Sequence, residues 1–233
     1  MMLSIVIPAH DEEAAIADVL RVTKTAKEFL LSKKYFDSIE IIVVDDGSHD
    51  NTKEILDSIS GIQIITHTHT KGYGAALKDG FRVARGDILS FLDADTTYDP
   101  CELPQLVETL RNNNAHIAIG SRMHENSHMP TLRKIGNRIF TYILHLRGGK
   151  HITDVTSGMR VLYRATLETL LPLPDGLDFT TVMTAKALRN KSITIVESPI
   201  SYKERVGTSK LKIFIDGPKT FWELVTILLS PRK

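Results

Sequence analysis

The chain has 233 residues, enough for one large domain or two small ones with a sizeable hydrophobic core. Its hydrophobic fraction of 42% and charged fraction of 24% are typical of a soluble globular protein, and its net charge is only +1. The near-zero charge argues against nucleic-acid binding, and the single cysteine excludes an internal disulfide. No apolar run approaches the ~20 residues of a membrane-spanning helix.

Apolar, β-branched runs alternate with segments of helical periodicity through the first half of the chain. Strands are predicted at residues 3–8, 39–46, 62–67, 87–93 and 116–122. Helices are predicted within residues 12–31, 48–59, 72–84 and 102–112. This alternation predicts an α/β fold with a doubly wound, mostly parallel sheet that helices cover on both faces.

From about residue 122 the composition changes. Residues 131–150 contain five Lys or Arg and no acid around an apolar helix. Helices near 165–171 and 179–190, a strand at 192–202 and a basic, aromatic, apolar end follow. We expect a single domain in three parts: residues 1–121, residues 122–213 and an amphipathic basic tail (214–233).

The charges are distributed unevenly between the two parts of the chain. Residues 1–100 hold 10 Lys or Arg against 17 Asp or Glu, whereas residues 101–233 hold 19 against 11. An acidic part joined to a basic part suggests a different binding partner for each. Random variation of the surface is the alternative interpretation.

Acidic side chains are concentrated where three of the predicted strands end. The sequences PAHDEE (8–13), DDGSHD (45–50) and DADTT (93–97) follow the first, second and fourth strands. Ligands of open parallel sheets bind at the carboxyl ends of the strands. Asp93 and Asp95 flank one small residue, and two such carboxylates can share Mg²⁺ or Mn²⁺ with substrate phosphates. Taken alone, such a pair is more often a solvated acidic turn.

Four segments, residues 4–13, 41–52, 71–95 and 154–164, together resemble the family 2 glycosyltransferases. Within that family the chain is most similar to the polyprenyl-phosphate glycosyltransferases, such as dolichol-phosphate mannose synthase, over roughly residues 3–215. The resemblance implies the GT-A fold, with a nucleotide-sugar site at the carboxyl ends of the strands.

The resemblance implies a donor site for a UDP- or GDP-linked sugar. Its residues would be Pro8, His10, Glu12, Asp45, Asp46, Lys71, Asp93 and Ala94. Asp93 and Asp95 would hold Mg²⁺ or Mn²⁺, and either Asp45 or Asp46 would contact the base or ribose. Gly72 and Gly74 would let the backbone pass close to the nucleotide.

The resemblance also implies that a polyprenyl phosphate accepts the sugar. Its phosphate would be bound by Arg122, Arg133, Asn137, Arg205, Ser209 and Lys210. If a general base is used, Asp154 is the first candidate and Asp178 the second. A single displacement at the anomeric carbon would invert its configuration. The alternative interpretation of the cations is a solvated face of a basic domain.

Two segments, 135–150 and 218–233, carry apolar and aromatic residues bordered by Lys and Arg, and either could lie in a membrane interface. A packed amphipathic helix or a subunit contact explains them equally well. We expect a cytoplasmic protein peripheral to the membrane, as a homo-oligomer or with a membrane partner subunit. Two other functions stay open: a family 2 enzyme with a soluble glycan or small hydroxyl acceptor, and a non-catalytic nucleotide-sugar-binding subunit.

Overall fold

The computed structural model describes residues 1–124, 127–145, 152–207 and 213–229. Its strands are β1 (Met2–Ala9), β2 (Ser38–Asp45), β3 (Gln63–Thr66), β4 (Ile88–Phe91), β5 (Ile117–Ser121), β6 (Arg160–Tyr163) and β7 (Ile195–Pro199). Its α-helices are α1 (Ile16–Ser32), α2 (Thr52–Asp57), α3 (Tyr73–Val83), α4 (Leu103–Asn112), α5 (Thr131–His145), α6 (Arg164–Leu170), α7 (Phe179–Arg189) and α8 (Ile213–Leu229). A short 3₁₀ turn, Pro100–Glu102, precedes α4.

The described strands form one sheet in the order β3-β2-β1-β4-β6-β5-β7. Apolar side chains cover both of its faces because successive residues of a strand point in opposite directions. On β1, Ile5 and Ile7 pack in the cluster that includes α1 and α4, whereas Val6 packs in the cluster that includes α3 and α7. Strands buried on both faces have continuous apolar sequences, which is why the sequence signals them clearly. The predicted α/β fold with a mostly parallel sheet is confirmed.

One strand, β6, departs from the predicted alternation. It runs antiparallel to both of its neighbours, β4 and β5, and separates two strands that the sequence pattern leaves adjacent. Its first residue, Arg160, pairs with Phe91 at the end of β4. The segment that enters β6 therefore reaches the sheet beside Asp93 and Asp95, at the same edge where β1 and β2 end.

The two helices α5 and α8 pack against each other at one side of the sheet, and α8 also packs on α7. Apolar side chains remain exposed on both helices, among them Leu132, Ile135, Ile139, Tyr142, Phe221, Trp222 and Leu229. None of the helices in the described ranges has the length and apolar character needed to cross a bilayer.

Candidate active site

A cavity of about 430 Å³ runs along the carboxyl ends of β1 and β4 and continues between α5 and α8. The end beside β1 and β2 is lined by Pro8, His10, Glu12, Asp46 and Gly72. The middle of the cavity is charged and is lined by Asp93, Ala94, Asp95, Arg122 and Arg205. The far end is mainly apolar and is lined by Met129, Leu132, Gly136, Phe140, Gly217 and Thr220, together with one acid, Asp216. The cavity thus joins most of the predicted donor residues to a cleft between two helices.

Asp93 and Asp95 lie together on the floor of the cavity, just beyond β4. Asp95 Oδ1 accepts hydrogen bonds from the Thr97 backbone N–H at 3.1 Å and from its hydroxyl at 2.5 Å. Asp93 Oδ1 accepts one from the Tyr73 hydroxyl at 2.8 Å. Burial, followed by the negative charge of Asp95, raises the pKa of Asp93 to about 6. The two carboxylates therefore need a positive charge beside them.

In the structure this positive charge comes from Arg205. Its Nη1 lies 2.5 Å from Asp95 Oδ2, and its Nη2 contacts Glu12 Oε1. The sequence assigns Glu12 to the nucleoside and Arg205 to the acceptor phosphate, and the structure brings the two side chains together. Arg205 thus contacts one acid at the donor end of the cavity, Glu12, and one acid in its charged middle, Asp95.

The residues on the cavity floor fit a divalent cation only if a substrate completes its coordination. Across the described ranges, no three His, Cys, Asp or Glu side chains form a group that could hold a metal ion alone. Mg²⁺ and Mn²⁺ are commonly held by one or two carboxylates together with substrate phosphates. Asp93 and Asp95 therefore suit a cation that is shared with a nucleotide diphosphate.

Of the two acids at the end of β2, Asp46 lines the cavity and Asp45 does not. Asp45 Oδ1 instead accepts a hydrogen bond from the Ser48 backbone N–H at 3.1 Å and stabilises the turn. Asp46 accepts hydrogen bonds from the backbone N–H groups of Lys71 and Gly72, at 2.9 and 2.8 Å. The Lys71 Nζ lies 3.3 Å from Asp79 on α3. Of the two alternatives that the sequence leaves open, Asp46 is therefore the predicted nucleoside contact that the cavity favours.

The two glycines at the start of α3 accommodate another part of the protein. A Cβ at Gly72 would lie 2.5 Å from the Asp175 carbonyl oxygen, and one at Gly74 would lie 2.2 Å from that of Pro174. The Asp175 carbonyl accepts hydrogen bonds from the N–H groups of Gly74 and Ala75, at 2.8 and 3.1 Å. The prediction that both glycines admit a nucleotide is thus corrected: they admit the backbone at 174–175, and Gly72 also lines the cavity.

Arg122 and Asp154 form a buried ion pair below the charged part of the cavity. Arg122 Nε and Nη2 donate to the two oxygens of Asp154 at 2.7 and 2.8 Å, and the Arg122 backbone N–H adds a third bond at 2.9 Å. The rings of Tyr98 and Tyr202 lie 5.7 and 5.3 Å from the guanidinium. Burial would raise the pKa of Asp154, but Arg122 outweighs it and holds that pKa below its ordinary value.

This ion pair changes the roles that the sequence assigns. A general base must accept a proton, whereas the Asp154 carboxylate is fully buried and occupied by three donors. The first candidate for the base is therefore disfavoured, and Asp154 instead orients Arg122. Arg122 still lines the cavity, but most of its hydrogen-bonding capacity is directed at Asp154 and the hydroxyl of Thr156.

Asn137 on α5 is also reassigned. Its Oδ1 accepts hydrogen bonds from the backbone N–H groups of Val155 and Thr156, at 3.1 and 3.2 Å. Its Nδ2 donates to the Thr153 carbonyl oxygen at 2.8 Å. The amide is buried and both of its ends are used, so it holds the loop 153–156 against α5. Asn137 also lines the cavity, and its contact with the acceptor phosphate stays a prediction.

Asp178, the second candidate for the base, precedes α7 and is only 3% exposed. Neither of its carboxylate oxygens has a hydrogen-bond partner among the described residues, and Lys219 Nζ lies 3.6 Å from Oδ2. Its neighbours Leu177 and Thr180 line the cavity. Asp178 is therefore a buried acid with free acceptor capacity that lies next to cavity-lining residues without lining the cavity itself.

The remaining predicted phosphate ligands divide into two groups. Arg133 lines the cavity, and its Nη1 donates to the Tyr202 hydroxyl at 2.8 Å. Ser209 and Lys210 lie outside the described residues. Of the predicted acceptor cations, Arg133 and Arg205 therefore line the cavity without belonging to the Arg122–Asp154 ion pair.

Several residues of the site have no counterpart in the sequence predictions. Glu197 on β7 accepts hydrogen bonds from the backbone N–H groups of Thr153 and Asp154, the shortest at 2.8 and 2.7 Å. A Cβ at Gly158 would lie 2.6 Å from Asp93 Oδ2, so only glycine fits beside that carboxylate. A charged residue inside a predicted strand, as in TIVES, is the sequence signal that could have identified Glu197.

Residues 4–171 of the chain match the family described as Glycosyl transferase family 2. The chain belongs to this family. It is a glycosyltransferase with the GT-A fold, and the predicted family, fold and enzyme class are confirmed. The matched residues include the acidic ends of β1, β2 and β4 and the loop that enters β6.

Three curated relatives are similar over nearly the whole chain. The low-salt glycan biosynthesis hexosyltransferase Agl6 of Haloferax volcanii is 36% identical over 97% of this chain, which spans 53% of that relative's length. A dolichyl-phosphate beta-glucosyltransferase of Saccharomyces cerevisiae is 30% identical over 99% of the chain and 75% of its own length. A UDP-N-acetylglucosamine–dolichyl-phosphate N-acetylglucosaminyltransferase of Methanococcus voltae is 28% identical over 98% of the chain and 97% of its own length. The chain thus spans about half of the first relative and nearly all of the third.

Solved structures support the fold. Glucosyl-3-phosphoglycerate synthase from Mycobacterium tuberculosis, in complex with Mn²⁺, UDP and phosphoglyceric acid, superposes with a TM-score of 0.76. The match covers 99% of this chain and 79% of that structure at 21% identity. At this identity the similarity establishes the shared GT-A architecture.

Proposed function

We propose that this protein transfers a sugar from a nucleotide-sugar to a polyprenyl phosphate at a membrane surface, with inversion at the anomeric carbon. The observation that carries the proposal is the course of the cavity, from an acidic floor to an apolar cleft between two helices with exposed apolar faces. The names of the yeast and Methanococcus relatives, which include dolichyl phosphate, support the same acceptor.

The donor occupies the end of the cavity beside β1 and β2. Asp46 and Glu12 offer carboxylate oxygens to the hydroxyl and N–H groups of a nucleoside, between the walls formed by Pro8 and His10. Asp93 and Asp95 would hold Mg²⁺ or Mn²⁺, which when bound stabilises the charge of the departing nucleoside diphosphate. The nucleoside is uridine or guanosine, and the transfer assay described below distinguishes the two.

The acceptor enters from the opposite end. Its phosphate would lie near Arg133 and Arg205, because these cations line the cavity between the acidic floor and the apolar cleft. Its isoprenoid chain would lie between α5 and α8. A Cβ added at Gly136 or Gly217 would meet no atom within 4 Å, so the cleft is open where these two glycines line it.

A phosphate acceptor simplifies the chemistry that the residues must perform. A phosphate monoester is already ionised at neutral pH, so its oxygen can attack without a general base. Arg133 and Arg205 would orient that oxygen, and the apolar walls would exclude water from the reacting carbon. A hydroxyl acceptor would require a base, and Asp178 has the free acceptor capacity for that role.

The exposed faces of α5 and α8 support binding to a membrane surface. Leu132, Ile135, Ile139 and Tyr142 follow helical spacing and form one apolar stripe along α5, and Trp222 on α8 is 70% exposed. Basic residues accompany the stripe on α5, namely Arg133, Lys134 and Arg138. Apolar residues bordered by cations suit the interface of an anionic bilayer, and we place the protein at its cytoplasmic face.

Transfer assays test the proposal directly. UDP- and GDP-sugars are supplied with Mn²⁺ and either a polyprenyl phosphate or a soluble hydroxyl acceptor, and we expect transfer to the polyprenyl phosphate. Gly136→Leu should raise the KM for polyprenyl phosphate by blocking the cleft, whereas Gly136→Ala is the matched control with little effect. Transfer to the hydroxyl acceptor alone, with strong dependence on Asp178, would establish the soluble-acceptor function instead. Nucleotide-sugar binding without transfer to any acceptor would indicate a non-catalytic subunit.

A further inference from the structure

A histidine outside the predicted site lies between two carboxylates behind the donor end of the cavity. His67, which directly follows β3, is 5% exposed. Its Nδ1 lies 2.6 Å from Asp46 Oδ1, and its Nε2 lies 2.9 Å from Asp79 Oδ2 on α3. The ring therefore connects a cavity-lining acid to a helix that lies behind it.

Both ring nitrogens of His67 lie within hydrogen-bond distance of a carboxylate oxygen. The ring therefore bridges the two aspartates, with one nitrogen directed at each of them.

Asp46 depends on its contact with His67 more than Asp79 does, because the two acids have different additional partners. Asp79 also has two cationic partners, with Lys71 Nζ at 3.3 Å and Arg82 Nη2 at 2.8 Å. In the part of the chain that the structure describes, the other hydrogen-bond donors to Asp46 are backbone N–H groups. The His67 backbone N–H also binds the carbonyl oxygen of Asp45, at 2.9 Å.

The hydrogen bonds leave Asp46 with one acceptor position. An ionised carboxylate has about four lone-pair positions. His67 and the Lys71 N–H occupy Oδ1, and the Gly72 N–H occupies one position on Oδ2. The remaining position on Oδ2 suits a single N–H or O–H donor of a nucleoside in the cavity.

We propose that His67 is a positioning residue for the donor nucleoside, acting through its hydrogen bond to Asp46. It fixes the rotamer of Asp46 and ties the segment 67–72 against that carboxylate, so that the last acceptor position faces the cavity. The inference rests on the proposed function in one respect, namely that the donor binds at this end of the cavity.

The test compares ligands with and without a nucleoside. Binding of UDP, GDP and inorganic pyrophosphate, each with Mn²⁺, is measured by calorimetry for the parent, His67→Gln and His69→Gln. Glutamine can bond to one carboxylate but has no ring to bridge both, so His67→Gln should weaken binding of the better nucleotide by about tenfold. Pyrophosphate affinity should not change, because that ligand makes no contact with Asp46. His69 is exposed in the same loop, and its variant serves as the matched control.

Two further measurements separate positioning from a purely structural role. In transfer assays His67→Gln should raise the donor KM while kcat and the acceptor KM stay near their parent values. Asp79→Asn, which removes the second carboxylate and leaves the contact between His67 and Asp46, should cause a smaller loss of nucleotide affinity, and it serves if His67→Gln does not fold.

The outcomes distinguish this inference from the proposed function. Parent-like UDP and GDP binding in His67→Gln, or an equal loss of pyrophosphate affinity, overturns the positioning role and leaves the proposed function intact. A parent protein that binds neither nucleotide overturns the proposed function itself.

Discussion

Arg205 Nη1 lies 2.5 Å from Asp95 Oδ2, the carboxylate oxygen that would otherwise be available to a divalent cation. A guanidinium and a metal ion cannot both contact this oxygen at full strength, because their like charges repel. Occupation of the metal site would therefore release Arg205 toward the centre of the cavity, where the acceptor phosphate is proposed to bind.

Arg205→Ala should consequently have two opposite effects. The affinity for Mn²⁺ in the presence of UDP should rise, because Asp95 loses its competing cation. Transfer to polyprenyl phosphate should fall by about one to two orders of magnitude, since a charge-assisted bond to phosphate is worth roughly 1.5–3 kcal/mol. Metal titration and transfer kinetics measure both effects. Lys203→Ala is the control, because Lys203 pairs with Asp99 and not with the cavity floor; unchanged transfer in Arg205→Ala would exclude a role in acceptor binding.

Asp93 should make the folded protein less stable at high pH. Its pKa of about 6 lies above the ordinary value of 3.8, so the folded state holds the proton more tightly and stability falls as the pH rises from about 4 to about 6. Asp93→Asn removes this cost, and its melting temperature should exceed that of the parent by roughly 6–12 °C at pH 8. Calorimetry at pH 4.5 should show a much smaller gain. An equal gain at both pH values would contradict the raised pKa.

Asp154→Asn should mainly destabilise the fold. Removal of one member of a buried ion pair leaves the other uncompensated, at a cost of about 3–5 kcal/mol. Denaturant unfolding measures the loss, and Asp175→Asn is the control because the Asp175 side chain is exposed. Replacement of the pair by Arg122→Met with Asp154→Leu should recover much of the stability. An Asp154→Asn protein as stable as the parent would contradict the structural role of the ion pair.

Trp222→Ser and Ile139→Ser should each weaken binding to vesicles that contain anionic phospholipid. Loss of one buried apolar side chain at the interface should reduce partitioning by roughly tenfold or more. Co-sedimentation with vesicles measures the change. Phe29→Ser provides the control, because Phe29 is an exposed aromatic residue on α1. If all three variants bind vesicles like the parent, the faces of α5 and α8 serve another contact.

The sequence predicts best those parts of the fold whose signals are local. The parallel strands are recognisable because burial on both faces requires continuous apolar runs. Strand β6 was missed because it has only four residues and is defined by pairing with β4 and β5, more than 40 residues away along the chain. An antiparallel strand inserted between two earlier strands has no hydrophobic periodicity that distinguishes it in the sequence.

The site shows the same limit at the level of single residues. The sequence identifies acids at strand ends, but it cannot indicate that Asp45 turns toward Ser48 while Asp46 faces the cavity. It also assigns Arg122 and Asp154 separate roles, although the fold pairs them across 32 residues. Which polar groups satisfy each other depends on the tertiary structure, and this decides which of them remain available to substrates.

The antiparallel direction of β6 has a consequence for how acceptor preference can change in evolution. β5 ends and β6 begins at the same edge of the sheet, so residues 122–159 form one long excursion that leaves the active-site edge and returns to it. The excursion carries α5 and its glycine-lined cleft, whereas the donor acids lie on β1, β2 and β4. With the acceptor bound where we propose, replacement of this segment alone should redirect the enzyme to another acceptor. The donor half would keep its architecture, because its acids lie on other strands.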